Sequence, residues 1–119
     1  MSELVIDLPW PPSNNTYWRH VALKGKARTL ISQKGRGYRT AVMALCFNRY
    51  PLQEGRLSVR IEAYPPDKRK RDLDNLPKAP LDALTISGLW KDDSQIDELH
   101  IVRCSVVSAG FIRVVINQL

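Results

Sequence analysis

At 119 residues the chain can bury about two-thirds of its unfolded surface, enough for one domain, residues 1–119, without a disulfide or a structural metal. Hydrophobic residues at 44% and charged residues at 25% exclude a disordered chain, and the two cysteines, Cys46 and Cys104, form no Cys-x-x-Cys pair, which argues for buried apolar residues in a reducing compartment rather than zinc ligands. The net charge of +6 points toward an acidic partner.

The N-terminus has no basic region followed by a long apolar run, and no stretch approaches the roughly 20 apolar residues of a membrane span, so a cytoplasmic protein with no membrane partner is expected. Leu4 to Leu8 predicts a first strand with Leu4, Ile6 and Leu8 on one face. Pro9, Pro11 and Pro12 stop it, and Ser13-Asn14-Asn15 has turn and capping chemistry. Residues 16–31 show no sustained period and read as a long surface loop or a loose hairpin. Ser32 is an N-cap candidate for a helix to about Arg49, with Tyr38, Ala41, Val42 and Leu45 on one face and Arg36 and Arg39 placed to meet phosphate.

Leu57 to Tyr64 alternates apolar and polar residues cleanly and predicts a strand, ended by Pro65-Pro66. A second helix is expected to start between Asn75 and Lys78, irregularly because of Pro77 and Pro80, and to end at Gly88. Leu99 to Val107 and Phe111 to Ile116 then read as two strands joined in a hairpin at Ser108-Ala109-Gly110. The expected architecture is α/β (α+β): a small mixed sheet of about four strands packed with two main helices.

Charge is segregated along the chain. No acidic residue falls between Asp7 and Glu54, whereas Asp72 to Glu98 is rich in aspartate. At the boundary lies Lys68-Arg69-Lys70-Arg71-Asp72-Leu73-Asp74-Asn75. In an extended chain Asp72 and Asp74 would share a face and offer two hard oxygen ligands to Mg²⁺ or Mn²⁺. The run Lys68, Arg69, Lys70 and Arg71 beside them suits a phosphodiester backbone. On the following helix Asn75, Lys78 and Asp82 would form one stripe facing that centre. Asn75 serves as either a cap or a ligand. Asp82 either orders Lys78 or joins the metal, and Lys78 itself could be no more than a helix-face partner of Asp74 or Asp82. Trp10, Tyr17, Trp18 and Trp90 either stack on bases or pack internally.

Arg-Asp-Leu-Asp-Asn-Leu, Lys78, Asp-Ala-Leu at 82–84, Gly-Leu-Trp-Lys-Asp-Asp at 88–93 and Leu-Pro-Trp-Pro-Pro-Ser-Asn-Asn near the start resemble the RusA family of Holliday junction resolvases across almost the whole chain. The resemblance implies a homodimeric, Mg²⁺-dependent endodeoxyribonuclease, with Mn²⁺ able to substitute, that cuts four-way junction DNA by symmetric paired nicks in recombination and repair. It also implies that Asp72, Asp74 and Asp93 are catalytic metal ligands and Lys78 a catalytic lysine, with Asp92 behind them. Pro77 and Pro80 depart from the family pattern around that lysine. The competing function is a non-catalytic DNA-binding protein, for which clustered aspartates would be a liability. A calcium loop beginning at Asp72 is excluded by Pro77, where that motif requires glycine.

Overall fold

The computed structural model describes residues 3–119; Met1 and Ser2, which enter the reading of the N-terminus, lie outside the described residues. A four-stranded sheet has the order β1 (Leu4–Pro9), β6 (Phe111–Gln118), β4 (Leu57–Tyr64), β5 (Ile96–Arg103), and a separate hairpin pairs β2 (Trp18–Leu23) with β3 (Lys26–Ile31). The helices are α1 (Asn14–Tyr17), α2 (Gln33–Cys46) and α3 (Lys78–Ile86). The mixed sheet with two main helices agrees with expectation.

Sheet register explains the alternation along the chain. Ile61 pairs with Val114, which pairs with Ile6, and Ala63 pairs with Ile112, which pairs with Leu8, so one sheet face is continuously apolar. That face meets Val42 of α2 and Ala83 and Leu84 of α3, all fully buried, together with Trp90. Burying each of these large side chains contributes roughly 1.5–3 kcal/mol. Pro9 is tolerated because β1 is an edge strand.

α2 starts as expected, with Ser32 Oγ accepting from Gly35 N at 3.0 Å, but ends at Cys46. Gly35 does more than weaken the first turn: a Cβ there would stand 2.6 Å from the Tyr17 carbonyl oxygen, so glycine lets α2 close onto α1. Its buried face is Gly35, Tyr38, Val42 and Cys46, and Leu45 is exposed. Both cysteines are free, Cys46 buried and Cys104 half-buried.

Pairing decides for the hairpin alternative over residues 16–31 and overturns one other expectation. Residues 18–31 form a regular hairpin with Lys24 and Gly25 at its tip, where φ values of 52° and 74° fit a two-residue turn that twists with its strands. The predicted hairpin between the last two strands does not form. β5 ends at Arg103 and runs parallel to β4, while β6 pairs antiparallel on the other side of β4. The link crosses the end of β4, where Cys104 N donates to Ala63 O at 2.7 Å and Val107 N to Pro65 O at 2.9 Å. A parallel β4–β5 pair needs a crossover, and the segment containing α3 supplies it. That crossover carries the aspartates.

Candidate active site

Asp72 is extended (φ −90°, ψ 132°), but residues Leu73–Asn75 form a 3₁₀ turn, so Asp72 and Asp74 do not share a strand face as the sequence suggested. The carbonyls of Asp72 and Leu73 accept from Asn75 N and Leu76 N, and the chain tightens because Leu76 must reach the core ahead of Pro77. Asp72 and Asp74 are both exposed. Asp72 borders a cavity of about 390 Å³ between the Trp10–Ser13 loop and the Lys70–Leu76 segment, with half-buried Asn75 in its wall. The 3₁₀ turn holding Asp74 packs on β5.

Asp93 opens a second 3₁₀ turn, Asp93–Gln95, which packs on α3 and leads into β5. Its neighbour Asp92 is that turn's cap: Oδ1 accepts from Ser94 N at 3.0 Å, and this amide holds the Asp92 carboxyl below its ordinary range. Gln95 Oε1 returns to Lys91 N and Asp92 N. Asp92 therefore has a local structural task, and half-buried Asp93 opens the turn that it caps.

α3 begins at Lys78 with Pro77 in the N-cap position and no side-chain cap, so Asn75 is not its cap. Lys78 is exposed, with Nζ 5.7 Å from the Trp18 ring centroid. Among the described residues it forms no salt bridge, which removes its reading as a helix-face partner of Asp74 or Asp82. Asp82 is turned elsewhere: Oδ2 lies 2.6 Å from Arg39 Nη2 and accepts from the Tyr17 hydroxyl, while Arg39 Nε stands 2.9 Å from that hydroxyl oxygen. The network ties α1, α2 and α3 together and commits Asp82 to Tyr17 and Arg39, with no salt bridge to Lys78 among the described residues. Arg39 is likewise committed, and Arg36 Nη1 donates to Ile31 O at 2.9 Å. Sequence spacing offered no signal for a contact between residues 39 and 82.

Tyr17 is fully buried, and burial, followed by its bond to Asp82, pushes its hydroxyl up to about 12. An ordinary tyrosine in the unfolded chain ionises near pH 10. The unfolded state thus loses this proton first, so the stabilisation is complete below pH 10 and lost as pH rises from 10 to 12. We expect roughly 2–3 kcal/mol to disappear across that window in alkaline denaturant melts, with a shallower loss in Tyr17→Phe. Equal slopes for the two proteins would contradict the assignment.

The cationic run divides in two. Lys68, Arg69 and Lys70 are exposed, whereas Arg71 is half-buried, 2.8 Å from Asp67 Oδ1 and 5.5 Å from the Trp10 ring centroid. Trp10 and Trp18 thus carry cations, and Tyr17 and Trp90 are core.

The donor chemistry fits a hard divalent cation held in part by water. Asp7, Asp67, Asp82 and Asp97 each have an arginine partner, whereas Asp72, Asp74 and Asp93 have none among the described residues. No group of three His, Cys, Asp or Glu among the described residues is arranged to hold an ion, so Asp72, Asp74 and Asp93 are not brought together as a ready-made triad. A small divalent cation does not need one, since it typically takes one or two carboxylates and completes its shell with water and phosphate oxygens.

A family model described as Endodeoxyribonuclease RusA matches residues 9–117. The chain is 42% identical over 122 residues to a crossover junction endodeoxyribonuclease RusA of Shigella sonnei, covering 100% of this chain and 98% of the relative. Proteins of the same description from Escherichia coli K12 and Enterobacteria phage 82 are 41% and 42% identical with the same coverage.

Proposed function

This chain belongs to the RusA family of endodeoxyribonucleases, and within it we propose a single-domain, cytoplasmic, homodimeric resolvase that uses Mg²⁺, or Mn²⁺ in its place, to nick four-way junction DNA symmetrically. It is a nuclease that hydrolyses DNA phosphodiester bonds at Holliday junctions. The observation that carries the site is the exposed pair Asp72 and Asp74, in no salt bridge among the described residues and set between a cationic run and Lys78.

In this reading Asp72, Asp74 and Asp93 are the metal ligands, with Asn75 in the wall beside them. When bound, the ion supplies positive charge against the phosphate and acidifies water. Lys68, Arg69 and Lys70 draw the backbone in, and Arg71 shapes the loop by clamping Asp67 and Trp10. Lys78 neutralises the charge that builds on the phosphoryl oxygens as the attacking water adds. Its hold on the Trp18 face is worth only about 0.5–1 kcal/mol at an exposed site, so the ammonium can leave the ring for a phosphate at small cost. Two opposed strands must be cut, and a two-fold dimer presents two identical centres to them.

A synthetic mobile four-way junction, labelled on each strand, tests this beside a linear duplex, with Mg²⁺ and with chelator. Paired Mg²⁺-dependent nicks in opposed strands, absent from the duplex, are expected. Tight junction binding without cutting in Mg²⁺ or Mn²⁺ would overturn the catalytic reading in favour of a DNA-binding protein.

A further inference from the structure

We infer that the β2–β3 hairpin is a separate DNA-holding arm, gripping the phosphodiester backbone of a duplex arm beside the cut through Arg19, Lys26 and Arg28. The inference rests on the nuclease reading and adds to it a surface outside the aspartate centre and outside the Lys68–Arg71 run.

Register puts the three cations on one face. Arg19 stands opposite Leu30, Val21 opposite Arg28, and Leu23 opposite Lys26, and alternate positions of a strand share a side. The other face carries Ala22 opposite Ala27 and His20 opposite Thr29, the latter pair hydrogen-bonded at 3.2 Å. Arg19, Lys26 and Arg28 are exposed, as is Lys24 at the tip, and among the described residues none of the four is in a salt bridge. With no acidic residue between Asp7 and Glu54, the ribbon has no carboxylate of its own to satisfy them.

Packing holds only the root of the ribbon, where Trp18 and Ile31 lie against the core. β3 is exposed along its length until Ile31, and a two-stranded hairpin without a covered face is marginal in water. Its root is fixed at the active site: β2 begins at Trp18, whose ring carries Lys78, and β3 ends where Ser32 N donates to Tyr17 O at 2.8 Å. From there six residues per strand reach about 20 Å outward, in a molecule whose longest extent is 51 Å. Going from Arg19 to the Val21–Arg28 pair and then to the Leu23–Lys26 pair advances two residues each time, about 7 Å per step. A two-stranded ribbon is moreover a shape that a DNA groove admits.

The test is equilibrium binding to a four-way junction in chelator over a salt series, comparing wild type with Arg19→Gln/Lys26→Gln/Arg28→Gln. Three phosphate contacts per arm should account for about 2.7 of the log–log salt slope, about 5.4 for the two arms of the dimer, and the triple variant should lose that much slope and bind about tenfold or more weakly at low salt. Matching thermal melts establish that the variant is folded, and Arg28→Gln alone should lose about 1.8 of slope, about 0.9 from each protomer. If wild type binds the junction and the triple variant binds with the same affinity and slope, the arm is overturned and the nuclease reading stands; an acidic protein partner then becomes the alternative for these cations. If wild type does not bind the junction at all, the nuclease reading falls and takes the arm with it.

Discussion

Asp74→Asn is expected to bind a four-way junction as tightly as wild type or more tightly, while its single-turnover cleavage falls by about a thousandfold or more, equivalent to about 4 kcal/mol of transition-state stabilisation. The substitution changes one oxygen for an amide on an exposed side chain with no arginine partner, so neither fold nor basic surface is disturbed. What changes is the donor set: a carboxylate that cancels cation charge becomes a neutral group with half the oxygen capacity. Removing a negative charge beside Lys68, Arg69 and Lys70 also eases the approach of phosphate. Binding by electrophoretic shift in chelator and cleavage of pre-bound junction after Mg²⁺ addition separate the two effects. Cleavage at the wild-type rate would sink the proposed centre.

Asp82→Ala should do the opposite, damaging the fold rather than the chemistry. Tyr17 hydroxyl and Arg39 guanidinium both lose their acceptor, and both groups are largely sheltered from water. Leaving them unpaired is expected to cost about 3 kcal/mol and to lower the melting temperature by about 10 °C. Asp82→Asn, which keeps an oxygen for Arg39, should lose less than half as much. Denaturant melts with cleavage measured per folded molecule decide the point. Undiminished stability combined with lost cleavage would return Asp82 to the aspartate centre.

The contrast between these aspartates shows what could be read from local sequence. Asp72, Asp74 and Lys78 sit within seven positions of one another in a motif whose charge reversal is visible without coordinates. β4 was equally plain, because its burial alternates residue by residue along Leu57–Tyr64. Asp82 misled because helical spacing says which residues share a stripe but not which neighbour the stripe meets; its partners lie on α1 and α2. The β2–β3 hairpin escaped firm recognition for a related reason: the exposed ribbon leaves no buried alternation to detect. The last two strands were found and mispaired. Adjacency in sequence favoured a hairpin, whereas β4, with Leu57, Val59 and Ile61 wholly buried, takes the place between them.

That strand order has a consequence for synthesis. β1 is the first strand to leave the ribosome, yet its pairing partner is β6, and β4 likewise needs β6 to complete its antiparallel side. At about 5–20 residues per second, several seconds separate translation of the first strand from translation of its partner. The β2–β3 hairpin pairs locally and can close within microseconds, but it is marginal in water until the core holds its root. A nascent chain therefore brings out the Arg19, Lys26 and Arg28 cations well before the four-stranded sheet can order the crossover that carries Asp72 and Asp74, so the positive charge emerges ahead of the acidic centre.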